Sequence, residues 1–356
     1  MVYSDVRKPD IVVGSENDIM GTMISRSLGT EVVPFRREYH DDGAPAPRVD
    51  MNYTLTGYEE FEGEKALTVY RRRQLPDRNS VARYLASYPR VVANLTNSDT
   101  FGMGEVDVLY PYWISGRADH NPRNDRSEAI RLRDKGRGVE YVFDASLFMA
   151  AGANRILTFH PHFHREPGVI DVGGIEVVCL DAIPHMVRYG RDVLGMTDDC
   201  LVLNPDLKPE RSGKYDIALE FAKRAGLNLG EMEKARLSPE EVQTKTRIDA
   251  DGRDVLIVDD IASTLGTIKG AVRNIDGASR IDVMLVHAVL PQKGHSAVNE
   301  LMSSDDYPVR TVTATHTIDS DISRIPVSDS VVDFYRKGNG NFSEYETVPS
   351  IDADDI

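Results

Sequence analysis

Apolar residues recur along this chain in short runs separated by stretches of helical periodicity. Ile11-Val-Val-Gly predicts a first strand, and Asn17 to Gly29 predicts a helix closed by its glycine. Val91-Val-Ala-Asn-Leu, Val106-Asp-Val-Leu-Tyr-Pro and Ile156-Leu-Thr-Phe predict further strands, with a helix from Tyr141 to Ala151 leading into the last. A second series opens near Ile175-Glu-Val-Val-Cys. It continues through Cys200-Leu-Val-Leu-Asn, Val255-Leu-Ile-Val and Val283 to Ala288, with later apolar stretches at Val309 to Val312 and Val331 to Phe334. Strands alternating with helices predict mainly parallel sheets flanked by helices, an α/β architecture. Two such series predict two domains, residues 1–165 and 166–345, meeting at the turn Arg165-Glu-Pro-Gly, with an acidic tail at 346–356. Residues 40–80 are less regular, and Tyr53 to Tyr70 reads as a hairpin inserted into the first domain.

Composition narrows the function classes. The chain has 356 residues, 41% of them hydrophobic, enough for two cores of ordinary size. A formal net charge of −15 argues against general nucleic-acid binding, which needs a basic face to neutralise phosphates. Any phosphate chemistry must then rest on local cations. The two cysteines, Cys179 and Cys200, sit among apolar neighbours and read as buried free thiols. No signal-like start and no apolar run long enough to cross a bilayer is present, so a cytoplasmic protein without a membrane partner is expected.

The segment Asp254-Val-Leu-Ile-Val-Asp259-Asp260-Ile-Ala-Ser263-Thr264-Leu-Gly266-Thr267-Ile carries the most chemistry. Val255 to Val258 read as a buried parallel strand that ends on two acids, then on a hydroxyl-rich turn, then on a helix start. Such a turn aims loop amides at one spot, which suits a phosphate. Ser263, Thr264 and Thr267 add hydroxyl donors, and Gly266 lets the backbone approach closely. Asp259 and Asp260 can accept hydrogen bonds from the vicinal hydroxyls of a sugar. Together they describe a pocket for ribose 5-phosphate.

Four other segments carry candidate groups. Lys234-Ala-Arg236 precedes that loop, and its two cations are of the type that stabilises a phosphoryl group in transfer, although a solvated surface turn also explains them. Leu201 to Asn204 leads to Asp206 and a loop with Lys208, Arg211, Gly213 and Lys214, which suits pyrophosphate or is simply an exposed basic loop. His160, His162 and His164 alternate after a strand and would share one face of an extended segment, as a metal site or a polar rim. Tyr110-Pro-Tyr-Trp113-Ile-Ser-Gly-Arg117-Ala-Asp119 sets aromatic rings beside an arginine, which suits a purine base and its phosphates.

In this order the segments resemble the ribose-phosphate diphosphokinase (PRPP synthetase) family, most of all its archaeal form. The loop alone is shared with type I phosphoribosyltransferases; Lys-x-Arg-Leu-Ser-Pro before it, together with a preceding strand ending Pro205-Asp206, separates the two. The resemblance implies two type I phosphoribosyltransferase-like domains and Mg²⁺-dependent transfer of the diphosphoryl group of ATP to ribose 5-phosphate. It implies that Lys234 and Arg236 are catalytic. Asp259, Asp260, Ser263, Thr264, Gly266 and Thr267 would bind ribose 5-phosphate, and Trp113, Arg117, Asp119 and His162 would bind ATP. His162 and Asp206 would hold the metal, and the chain would self-associate. Departures fall on the ATP side, with Ala118 and His120 where the family has glutamine and arginine, and His160 where it has aspartate. A phosphoribosyltransferase and a non-catalytic regulatory paralogue stay open as alternatives.

Overall fold

The structure, a computed structural model, describes residues 6–15, 18–36, 48–49, 65–73, 78–97, 101–117, 140–205, 215–230, 248–304 and 307–337. Two compact units emerge, one of residues 1–181 with 328–356 and the other of residues 182–327.

The first unit is built on strands β1 (Ile11–Ser15), β2 (Glu31–Arg36), β3 (Arg48–Val49), β4 (Lys65–Val69), β5 (Glu105–Leu109), β6 (Arg155–Phe159), β7 (Gly168–Val172) and β8 (Ile175–Leu180). They form one sheet in the order β3-β2-β1-β4-β5-β6-β8-β7, parallel except for its two outermost pairs. Helices α1 (Ile19–Leu28), α2 (Arg78–Thr96) and α3 (Glu140–Ala150) connect them. Local chemistry sets the ends of α1: the Asp18 side chain accepts from Met20 N, and Gly29 closes the helix in the left-handed conformation. Met20, Ile24 and Leu28 bury one stripe of it.

Three expectations are corrected here. Val91 to Leu95 lies in α2, not in a strand; Tyr88, Val91, Val92 and Leu95 form a buried helical stripe. A short apolar run has no periodicity that separates a strand from a buried helix segment, and Pro89 sits inside the helix without ending it. Ile175 to Leu180 belongs to the first sheet, because Gly173 and Gly174, both at positive φ, turn β7 back onto β8 as a tight hairpin. The division between the units therefore falls after Asp181, not at the Arg165-Glu-Pro-Gly turn. Of the region read as an inserted hairpin, Lys65 to Val69 forms a central parallel strand, and residues 51–64 lie outside the described residues.

The second unit has strands β9 (Leu201–Leu203), β10 (Asn228–Leu229), β11 (Asp254–Ala262), β12 (Arg280–Ala288), β13 (Val309–Thr315) and β14 (Ser323–Ile325). They form a parallel sheet in the order β10-β9-β11-β12-β13-β14. Helices α4 (Ile183–Asp192), α5 (Ile217–Ala225), α6 (Gly266–Val272) and α7 (Gln292–Met302) complete it. Val255, Ile257, Val283 and Leu285 pack with Ile268, Val272, Val298 and Leu301 in one core. Each such fully buried side chain contributes about 1.5–3 kcal/mol.

The last helix, α8 (Ser328–Lys337), takes up the apolar stretch Val331 to Phe334. Val331, Val332, Phe334 and Tyr335 make a buried stripe at helical spacing, which packs this helix with α1 in the first unit. There Tyr335 donates to Asp107 Oδ2 at 2.8 Å, beneath the sheet's ion pairs. Lys65 lies 2.9 Å from Asp107 and 3.1 Å from Glu105, and Arg155 lies 3.1 Å from Glu176 and 3.7 Å from Asp107. In-register pairing of β4, β5, β6 and β8 brings these charges together.

Candidate active site

In the second unit, β11 carries the predicted loop past its apolar core. Strand pairing continues through both acids, with Asp259 opposite Leu285 and Ala262 opposite Ala288. Asp259 and Asp260 therefore lie within the strand's carboxyl end and not beyond it. Alternation sends them to opposite faces: Asp260 is buried, whereas Asp259 is partly exposed. Asp260 N donates to Asp259 Oδ1 at 2.9 Å, which holds the Asp259 carboxylate against the backbone.

Leu265 turns the chain after the strand. It stands at φ 57° and ψ 18°, left-handed backbone that a leucine adopts only under constraint. Its buried side chain, in one core with Ile268, supplies that constraint. The consequence is that Thr264, Gly266 and Thr267 are exposed together at the start of α6, with Ser263 partly exposed. Helix α7 presses on the same loop. A Cβ at Gly294 would sit far inside contact distance of the Ser263 carbonyl oxygen, so only glycine lets this helix approach.

In the first unit, β5 ends at Leu109 and runs through Tyr110 to a short 3-10 turn, Ile114–Arg117. Tyr110 OH accepts from Ile114 N at 3.0 Å, and Ser115 Oγ donates to Asp144 Oδ2 on α3 at 2.5 Å. Burial pushes the Asp144 carboxyl up to about 6, against the Ser115 bond, which lowers it; Glu140 adds to the rise, and the polar groups of Trp113 and Tyr110 oppose it. Arg117 leaves the turn exposed. Trp113 does not present a face for a base: it is 1% exposed, tilted on Tyr110 at 5.3 Å and edge-to-face with Phe163 at 5.2 Å.

Strand β6 brings His160 to the same region, but the three histidines do not share a face. His160 takes φ 35°, which ends the extended backbone and turns the chain. Its Nδ1 donates to the Arg165 carbonyl at 2.5 Å and its Nε2 lies 3.3 Å from Asp181 Oδ1, so the ring is fully engaged in the interior. His162 Nδ1 accepts from the Arg165 guanidinium at 2.9 Å. The neutral ring then carries its proton on Nε2, a donor suited to an anion. His164 is partly buried; burial, then His160, lowers its pKa. Among the described residues no group of three His, Cys, Asp or Glu side chains could hold a metal ion.

His162 and Gly116 are adjacent: a Cβ on Gly116 would lie 3.6 Å from His162 N and 3.5 Å from the Phe163 ring. The first unit thus joins the Trp113–Arg117 turn to His162, and the second joins Asp259, Asp260, Ser263, Thr264, Gly266 and Thr267. Asp119, Asp206, Lys234 and Arg236 lie outside the described residues. Sequence reading missed Asp144, Arg165 and Asp181. None stands in a motif, and only the His162-x-x-Arg165 spacing left a local trace.

No family model matches the chain. Over 278 residues it is 31% identical to the ribose-phosphate pyrophosphokinase of Methanothermobacter thermautotrophicus, a match spanning 77% of this chain and 84% of that one. The chain belongs to the ribose-phosphate pyrophosphokinase family. The family's protein from Pyrococcus abyssi is 35% identical over 239 residues, 65% of this chain and 72% of its own. That of Methanopyrus kandleri is 24% identical over 326 residues, 91% of this chain and 97% of its own. The phosphoribosylpyrophosphate synthetase of Mycobacterium smegmatis superposes with a TM-score of 0.64 at 19% identity, over 92% of this chain and 98% of that one. At that identity the likeness speaks for the fold, two type I phosphoribosyltransferase-like α/β units.

Proposed function

We propose that the protein is a ribose-phosphate diphosphokinase, which moves the β,γ-diphosphoryl group of ATP to the C1 hydroxyl of ribose 5-phosphate. The ribose oxygen attacks the β-phosphorus, the bond to the α-phosphate oxygen breaks, and AMP leaves while the hydroxyl loses its proton. The observation that carries this reading is the 31% identity to a ribose-phosphate pyrophosphokinase across most of the chain. The exposed hydroxyls of Thr264 and Thr267 at the end of β11 agree with it.

Each residue then has a task. Thr264, Gly266, Thr267 and Ser263 bind the 5-phosphate, and Asp259 accepts from the ribose hydroxyls. The buried Asp260 supports the strand end. Lys234 and Arg236 neutralise the charge that develops on the transferring group, and with the substrate-binding groups they hold the hydroxyl in line. Arg117, Asp119 and His162 bind ATP, His162 through its Nε2 proton to a phosphate, while Trp113 anchors the turn from within the core.

Magnesium fits this donor set as an ion carried on the substrate phosphates, because it prefers oxygen ligands, keeps several waters and needs only one or two carboxylates. Asp206 is the carboxylate assigned to it. When bound, Mg²⁺ offsets phosphate charge. The enzyme acts in the cytoplasm as a self-associating protein. No helix among the described residues is long and apolar enough to cross a membrane.

Incubation of the purified protein with Mg²⁺, ATP and ribose 5-phosphate tests the proposal, with chromatography for AMP and PRPP. Equimolar AMP and PRPP, dependent on ribose 5-phosphate and lost in Lys234→Ala, are expected. Absence of both products with ATP and with other nucleoside triphosphates would refute it.

A further inference from the structure

Asp144 belongs to no motif, yet it is the buried acid on which the Trp113–Arg117 turn converges. It lies in the middle of α3 and is 8% exposed. Ser115 Oγ donates to its Oδ2 at 2.5 Å, and the Tyr110 hydroxyl also favours the carboxylate. Tyr110 accepts from the backbone of Ile114, the first residue of the turn. Gly116, which follows Ser115, lies against His162 and Phe163, and after it comes the exposed Arg117.

This arrangement is not needed to fill space. A buried carboxylate loses its water, and an apolar side chain of similar size would occupy the same volume without that loss. The carboxylate adds direction instead. A short bond to Ser115, together with the Tyr110–Ile114 bond, fixes the turn at two successive residues. That sets where the backbone of Gly116 lies against His162 and the angle at which Arg117 leaves.

We infer that Asp144 is a positioning residue for the nucleotide, acting through Ser115 to hold Arg117 and His162 in the geometry that binds the ATP phosphates. The inference rests on the reading that this turn binds ATP. Asp144 itself touches no substrate. A positioning error of about 1 Å is enough to cost up to a hundred-fold in a well-aligned site, so removing one anchor of two should have a smaller, selective effect.

Steady-state kinetics with both substrates varied separates the possibilities. Asp144→Ala and Ser115→Ala should each raise KM for ATP about ten-fold, with KM for ribose 5-phosphate changed by less than about two-fold. The double variant should be no worse than either single one, since the two side chains act as a unit. Asp144→Asn, which keeps an acceptor for Ser115, should restore KM for ATP to near the parent value. Arg117→Ala is the check on the underlying reading and should raise KM for ATP at least as much. If Arg117→Ala raises it but Asp144→Ala and Ser115→Ala do not, the positioning role is refuted. If Arg117→Ala leaves it unchanged, the ATP-binding reading of the turn fails and the inference with it. Equal rises in both KM values, with a lowered melting temperature, would show a merely structural role and overturn the proposal.

Discussion

Tyr335 ties α8 to the buried charge cluster of the first unit, and Tyr335→Phe isolates that tie. The ring stays, so its packing on Phe334 (centroids 5.0 Å apart) and its contact with Lys65 are kept. Only the hydroxyl that donates to Asp107 at 2.8 Å is lost. The acceptor is a fully buried carboxylate, and hydrogen bonds to charged groups contribute about 1.5–3 kcal/mol. Lys65 and Arg155 still flank Asp107, so its charge remains compensated. The lower part of that range applies, and a loss of about 2 kcal/mol is expected, close to thirty-fold in the unfolding equilibrium. Urea unfolding followed by tryptophan fluorescence reads this directly, because Trp113 is the only tryptophan and lies in the core of the first unit. The midpoint should fall with the slope unchanged. In an Asp107→Asn background the acceptor is neutral, and the same change should cost about 1 kcal/mol or less. No shift of the midpoint, or an equal loss in both backgrounds, would refute the assignment of this bond as a stabilising charge-assisted tie of α8.

Two other perturbations probe the sites. Gly294→Ala places a methyl against the Ser263 carbonyl, so the loop or α7 must move; although alanine favours a helix by about 1 kcal/mol over glycine, KM for ribose 5-phosphate should rise about ten-fold, with KM for ATP unchanged. An unaltered KM would mean that the contact does not shape the loop. Asp144→Asn should stabilise the protein at pH 7.5 by about 3 kcal/mol, since a carboxyl moved from 3.8 to about 6 makes the folded state hold its proton more tightly than the unfolded one. That penalty is fully present above the folded pKa and fades as pH falls from about 6 towards 3.8, so thermal melts at pH 7.5 and pH 4 should show the advantage only at the higher pH.

Much of the second unit was legible from the residues alone, and the reason is local. The β11–α6 loop is one continuous segment in which a β-branched run, two acids, a hydroxyl turn and a helix start follow each other, so its chemistry and its geometry come from the same neighbours in sequence. The end of α1 was equally readable, because Gly29 closes that helix in the left-handed conformation right after its last residue. The short apolar run at Val91 was not, since burial on a helix stripe and burial in a strand ask for the same residue types.

What tertiary structure alone decided is which distant residues meet. The pairing of Ser115 with Asp144, of His160 with Asp181, and of Tyr335 with Asp107 spans long stretches of chain and leaves no periodic trace in any one segment. The burial of Trp113 is of the same kind: its neighbours Tyr110 and Phe163 come from opposite sides of β6 in the sequence, and only the packed core makes the ring an anchor in place of a base platform. A motif is local, so the family and its phosphate loop can be read along the chain. Burial and pairing are sums over the whole fold, so the groups that aim the loop residues appear only once the sheets are assembled.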